Sequence, residues 1–184
     1  RLGAIEARNR VLMAPLTRGR GTRDHAPTPI MVDYYRQRAS AGLIISEGVG
    51  ISQEGLGWAF ATGIWRPDQV EGWKRVTDAV HEAGGRIALQ LWHMGRLVHP
   101  DFNGGRVPVS ASATRFDAEV RTYDRGKQPY ATARPLEVAE VPRLLEEYRV
   151  AARNAIAAGF DGVQIHAANG YLIDQFLRNG ANGR

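Results

Sequence analysis

Gly162-Val163-Gln164-Ile165-His166-Ala167-Ala168-Asn169-Gly170-Tyr171-Leu172 reads as a strand of four residues, a polar loop and the first turn of a helix, with Phe176 on that helix's side. Immediately before it, Val141, Leu144, Leu145, Tyr148, Ala152, Ala155 and Ile156 recur at helical spacing, and Gly159 closes the run. Helix, strand and helix in succession are the unit from which parallel sheets are built. Working towards the N-terminus, the unit repeats. Arg86 to Leu91 predicts a strand, preceded by a helix with Val70, Trp73, Val76, Thr77 and Val80 as its buried stripe. Asp68, with Glu71 three residues on, has the spacing of an N-terminal cap, and Gly84-Gly85 ends the helix. Leu43-Ile44-Ile45-Ser46 predicts a further strand, apolar and β-branched as in a sheet covered on both faces. Pro29 to Ala39 predicts its helix, with Ile30, Tyr34 and Arg38 on one face, and Arg10 to Ala14 the first strand, stopped by Pro15.

The pattern βαβαβαβ with a further helix start fits two architectures, a doubly wound open sheet or a (β/α)8 TIM barrel. Pro15 to Gly21, after the first strand, carries neither the GxGxxG spacing nor a Walker lysine. That favours the barrel, of which the chain supplies about the first four βα units. Residues 93–140 form a long insert after the third strand, and a connection of that size is more often functional than idle. A barrel needs about 250 residues, and the chain has 184 and begins with Arg1. The expectation is therefore one domain, the N-terminal half of a barrel, incomplete at both ends.

Composition narrows the function. Hydrophobic residues make up 43% and charged residues 23%, a globular balance, and there is no cysteine for a disulfide, a thiolate zinc site or a thiol nucleophile. The absence of cysteine is compatible with the cytoplasm, the expected location. No apolar run approaches the ~18 residues of a membrane span. The 24 basic and 19 acidic residues give a net charge of +5, but the arginines are scattered and form no stripe that would fit nucleic acid. His93, His99 and Asp101 lack ligand spacing for a metal, and His25 and His81 read as surface residues. No GxSxG elbow is present.

The chemistry is expected at the carboxyl ends of the strands. His166 ends its strand, and Asn169 and Tyr171 follow within one turn. His and Asn can both donate to one carbonyl oxygen, and a tyrosine hydroxyl beside them can act as a general acid. Pro15-Leu16-Thr17, Ser46-Glu47-Gly48 and Gln90-Leu91-Trp92-His93 end the other strands. Thr17 and Gln90 suit a planar heterocycle, and Gly48 leaves room for a ring to approach the backbone.

These residues carry a resemblance. Asn9 to Arg18, Tyr34 to Glu47, Gln90 to Arg96, His166 to Leu172 and Asp174-Gln175-Phe176-Leu177 resemble the old yellow enzyme family, over essentially the whole chain. The resemblance implies a (β/α)8 barrel that binds FMN without a covalent bond and reduces the C=C bond of activated alkenes with NAD(P)H. It implies that Ala14, Pro15, Leu16, Thr17, Gly48 and Gln90 line the flavin, with Thr17 bonded beside its reactive nitrogen. His166 and Asn169 would hold the substrate carbonyl, and Tyr171 would protonate the neighbouring carbon. Substrate preference would rest on the insert and on Trp92, Trp58 and Phe60. The remaining half of the barrel is the implied partner, and it would bring the phosphate-binding loops. Related flavin-barrel reductases of dienoyl-CoA, amine dehydrogenases and a non-catalytic half-barrel module are the alternatives.

Overall fold

The computed structural model describes residues 2–184. Its elements run β1 (Leu12–Met13), α1 (Pro29–Arg36), β2 (Leu43–Gly50), α2 (Pro67–Glu82) and β3 (Ile87–Trp92). The insert follows with β4 (Val109–Ser110), β5 (Glu119–Arg121), β6 (Lys127–Pro129) and β7 (Arg134–Pro135). The regular pattern then resumes with α3 (Val141–Ala157), β8 (Gly162–Ile165) and α4 (Leu172–Leu177).

β1, β2, β3 and β8 form one parallel sheet in that order. The order follows the chain without reversal, so the sheet has no switch point at which a doubly wound fold would change direction. α1 packs on α2 and α2 on α3, a single helical layer. Alternation along β3 sends Ile87, Leu89 and Leu91 into the main core with the helices, leaving Ala88, Gln90 and Trp92 on the opposite face. The observed sheet is the barrel type. Within the insert, β4 pairs with β7 and β5 with β6 as a hairpin, so the long connection is built rather than loose.

Several local expectations change. In α1 the buried side chains are Met31 and Tyr35, one position round from the expected face, and Ile30 is exposed. Arg18 and Arg38 both lie over the Tyr34 ring, which holds that residue at the rim. Asp68 does not cap α2. Its carboxylate pairs with Arg66 (2.7 Å), while Gln69 Oε1 accepts the N–H groups of Trp65 and Arg66 at 2.9 and 3.1 Å. In α3 the buried positions are Leu144, Ala151 and Ala155; Leu145 and Ile156, expected in the stripe, face outward. His25 is buried, its Nδ1 lying 2.8 Å from the Ala61 carbonyl oxygen.

β2 runs four residues beyond the predicted strand. Ile45 pairs with Ala88 and Gly48 with Gln90, three residues against two, so one extra residue bulges at Ser46-Glu47. The bulge lets Ser46 Oγ accept the Gln90 N–H (3.1 Å) while Glu47 reaches back to Tyr35 on α1.

Candidate active site

The carboxyl end of β8 delivers His166, whose N–H is bonded to the Leu91 carbonyl (2.9 Å) and so continues the ladder. The next residues turn sharply, with Asn169 at φ +58° and Gly170 at φ +76°. Asparagine and glycine tolerate this left-handed backbone better than other residues. The turn brings Tyr171 back over His166, ring centroids 4.8 Å apart and nearly perpendicular. Trp92, at the end of β3, packs on both, with centroids 5.1 Å from Tyr171 and 6.1 Å from His166.

The hydrogen-bond roles follow from the backbone. The Ala168 N–H points at His166 Nδ1 (3.3 Å), so the neutral ring keeps its proton on Nε2. Burial pushes the His166 pKa below its ordinary value, favouring that neutral form. Nε2 lies 3.4 Å from the Asn169 amide nitrogen. Two N–H donors therefore sit side by side with no acceptor of their own between them. Burial also raises the Tyr171 pKa, which keeps its phenol protonated. The three expected residues thus converge on one point.

The residues expected to line a flavin are divided. Gln90 Nε2 donates to Gln164 Oε1 (2.7 Å) across paired strands. That leaves the Gln90 oxygen and the Gln164 N–H groups as an uncharged acceptor–donor pair, suited to an imide-like heterocycle edge. Gln164 is missing from the residues singled out in the sequence; its register opposite Gln90 is the signal, visible only once the strands are paired. Thr17 and Pro15 are half-buried in the segment after β1, and Ala14 and Leu16 are exposed there. The Arg18 N–H, next to Thr17, is held by Glu47 Oε2 (3.2 Å). Gly48 also meets the Trp92 ring. A Cβ there would lie 2.7 Å from the Trp92 ring, so the glycine makes room for the indole. Trp92 Nε1 is buried without a hydrogen-bond partner among the described residues. Small residues, neutral amides, a hydroxyl and an aromatic wall fit a flavin ring in kind.

A cavity of about 350 Å³ opens against the insert, lined by Trp58, Ala59, Glu119, Val120, Arg121 and Tyr130. Trp58 faces Trp92 at 6.5 Å, whereas Phe60 turns away and packs edge-on to Tyr123 of the insert (5.1 Å). Among the described residues no group of three or more His, Asp or Glu side chains is placed to hold a metal, and no helix is long and apolar enough to cross a membrane.

The family model described as NADH:flavin oxidoreductase / NADH oxidase matches residues 1–184. The old yellow enzyme homologue from Zymomonas mobilis is 62% identical, superposes with a TM-score of 0.97, and is covered over 51% of its chain by the whole of this one. Morphinone reductase in complex with tetrahydroNAD is 49% identical, with a TM-score of 0.94 and 52% of its chain covered. A putative 12-oxophytodienoate reductase of Oryza sativa subsp. japonica is 44% identical over 186 residues, all of this chain and 50% of the relative. The chain spans about half the length of these relatives. Its four-stranded sheet is accordingly part of a (β/α)8 barrel.

Proposed function

Because this chain belongs to the NADH:flavin oxidoreductase / NADH oxidase family, we propose that it contributes the substrate-holding half of an FMN-dependent ene-reductase. The observation that carries the reading is the pair of donors on His166 and Asn169, 3.4 Å apart, with the Tyr171 ring 4.8 Å from the imidazole. FMN, when bound, supplies the redox chemistry, accepting hydride from NAD(P)H and yielding it to the alkene. The chain's residues do the rest. His166 Nε2–H and the Asn169 amide hold the carbonyl oxygen of an activated alkene and stabilise the negative charge that gathers there as hydride reaches the far carbon. The Tyr171 hydroxyl gives its proton to the carbon next to the carbonyl. Trp92 closes one wall of the site. Thr17, Gln90 and Gln164 would hold FMN, together with Ala14, Pro15, Leu16 and Gly48.

The partner is the rest of the barrel. Leu12 and Leu16 beside one sheet edge, and Val163 and Ile165 at the other, are 41% to 59% exposed. A closed barrel buries positions of this kind.

Tyr171→Phe separates the two half-reactions. Alkene reduction should slow by roughly 10²–10⁴-fold, the usual contribution of a placed general acid. Reduction of the flavin by NAD(P)H needs no proton from Tyr171 and should stay within a few-fold. Stopped-flow measurement of both steps decides. Equal slowing would make Tyr171 a wall of the flavin pocket, and no slowing would remove it from the mechanism.

A further inference from the structure

Gln175, on α4, is wholly buried and uses all four of its side-chain hydrogen-bonding positions. Its Nε2 donates to the carbonyl oxygens of Gly170 (2.7 Å) and Met94 (3.1 Å). Its Oε1 accepts from Ser110 Oγ (2.9 Å) and from the Arg96 N–H (3.2 Å). One amide therefore ties together the loop after β8, the turn after β3 and the β4 strand of the insert. The space is shaped for it, because a Cβ at Gly95 would stand 2.2 Å from Gln175 Oε1.

What the amide grips matters more than the number of bonds. The Gly170 carbonyl belongs to the peptide that links Gly170 to Tyr171, so fixing that oxygen fixes the plane from which the Tyr171 side chain departs. The same peptide turn is held from its other end. Asp174 Oδ2 accepts the Gly170 N–H (2.8 Å) and is itself anchored by Arg178 Nε (2.8 Å). Two successive left-handed residues, Asn169 and Gly170, would not hold this shape unaided.

We propose that Gln175 is a positioning residue for proton transfer: by clamping the Gly170–Tyr171 peptide to the turn after β3 and to the insert, it sets the Tyr171 phenol against His166 and Asn169. The proposal rests on the reading of Tyr171 as the proton donor. It also gives the insert a route to the chemistry, through Ser110 and Gln175, without touching substrate. A misplacement of about 1 Å at a reacting group costs on the order of 10²-fold in rate.

The test uses Gln175→Met, which keeps the volume and removes the bonds, and Ser110→Ala, which removes only the link to β4. In residues 1–184 without flavin, amide exchange followed by NMR should quicken about tenfold at Gly170 and Tyr171 in Gln175→Met, as expected for local opening. The sheet amides of Ile44, Leu89 and Leu91 should keep their protection. In the complete barrel loaded with FMN, alkene reduction should slow about 10²-fold, with flavin reduction by NAD(P)H within a few-fold. Should Gln175→Met not fold, Ser110→Ala carries the test, with the same signs and smaller changes. Unaltered exchange at Gly170 and Tyr171, or equal slowing of both half-reactions, overturns the proposal. If Tyr171→Phe is slow and Gln175→Met is fast, this inference alone falls. If Tyr171→Phe is itself fast, the acid assignment falls, and the exchange data still report whether Gln175 clamps the peptide.

Discussion

Glu47 is 1% exposed, and its carboxylate rests between the Tyr35 hydroxyl (3.2 Å) and the Arg18 N–H (3.2 Å). Loss of water outweighs those bonds and raises its pKa to about 7. The folded state therefore binds this proton more tightly than the unfolded chain does. The resulting stability is complete below the unfolded value of 4.5 and is lost as the pH climbs through about 7. The difference is about 3 kcal/mol at most. Buried histidines whose pKa values are lowered, His93 and His25 among them, gain stability over the same range, so the Glu47 share is read as the difference between wild type and Glu47→Gln in urea unfolding at pH 5 and pH 8. The variant should gain on the wild type as the pH rises, and the same pH dependence in both proteins would show that Glu47 is solvated after all. The sequence placed Glu47 at a strand end and said nothing of its burial, because the bulge that turns it inward is a property of strand pairing. The nearness of His166 to Asn169 and Tyr171 was legible, since six consecutive residues after a strand have few ways to diverge.

At the scale of elements, α2 carries the strongest sequence signal and the clearest energetic consequence. Trp73 is wholly buried, meets Phe160 at 5.4 Å and Tyr35 at 5.9 Å, and donates its indole N–H to the Gly63 carbonyl (3.2 Å). It joins α1, α2 and the segment before β8 in one contact. Trp73→Ala should cost about 3–5 kcal/mol, measured by denaturant unfolding, and a loss under 1 kcal/mol would mean that the neighbours collapse into the space. Periodicity read α2 well because its stripe faces one layer only. It read α1 a residue out of phase, because arginine stacking on Tyr34 holds an aromatic at the surface. It cut β2 short because Ser46, Glu47 and Gly48 look like a loop until the bulge absorbs the extra residue. The insert's short pairs are two or three residues each, below what alternation can reveal.

At the scale of the whole molecule, the sheet has two outer strands, β1 and β8, whose outer edges are unpaired among the described residues. The candidate site lies between them on the face away from the helices, with His166 beside one edge and Thr17 beside the other. A flavin gripped from this side alone keeps much of its ring in water. Residues 1–184 by themselves should therefore hold FMN weakly, and fluorescence quenching on titration should give no tight, stoichiometric end point. Tight binding would mean that the groups at Thr17, Gln90 and Gln164 suffice. The barrel class was legible from the alternation of helices and strands together with the missing glycine-rich loop after the first strand, and the strand order agrees with it.

That strand order also permits assembly in the order of the chain. Because β1, β2, β3 and β8 neighbour one another in the order of the chain, each new strand finds its partner already made, and the sheet can grow by addition at a single side. The growing side is β8, and the loop that bears His166, Asn169 and Tyr171 springs from it. In growth of that kind the turn through Asn169 and Gly170 follows the strand it springs from, and Gln175, further along the chain, reaches it afterwards. A chain emerging from the ribosome would then bring out its candidate site after the core of the sheet.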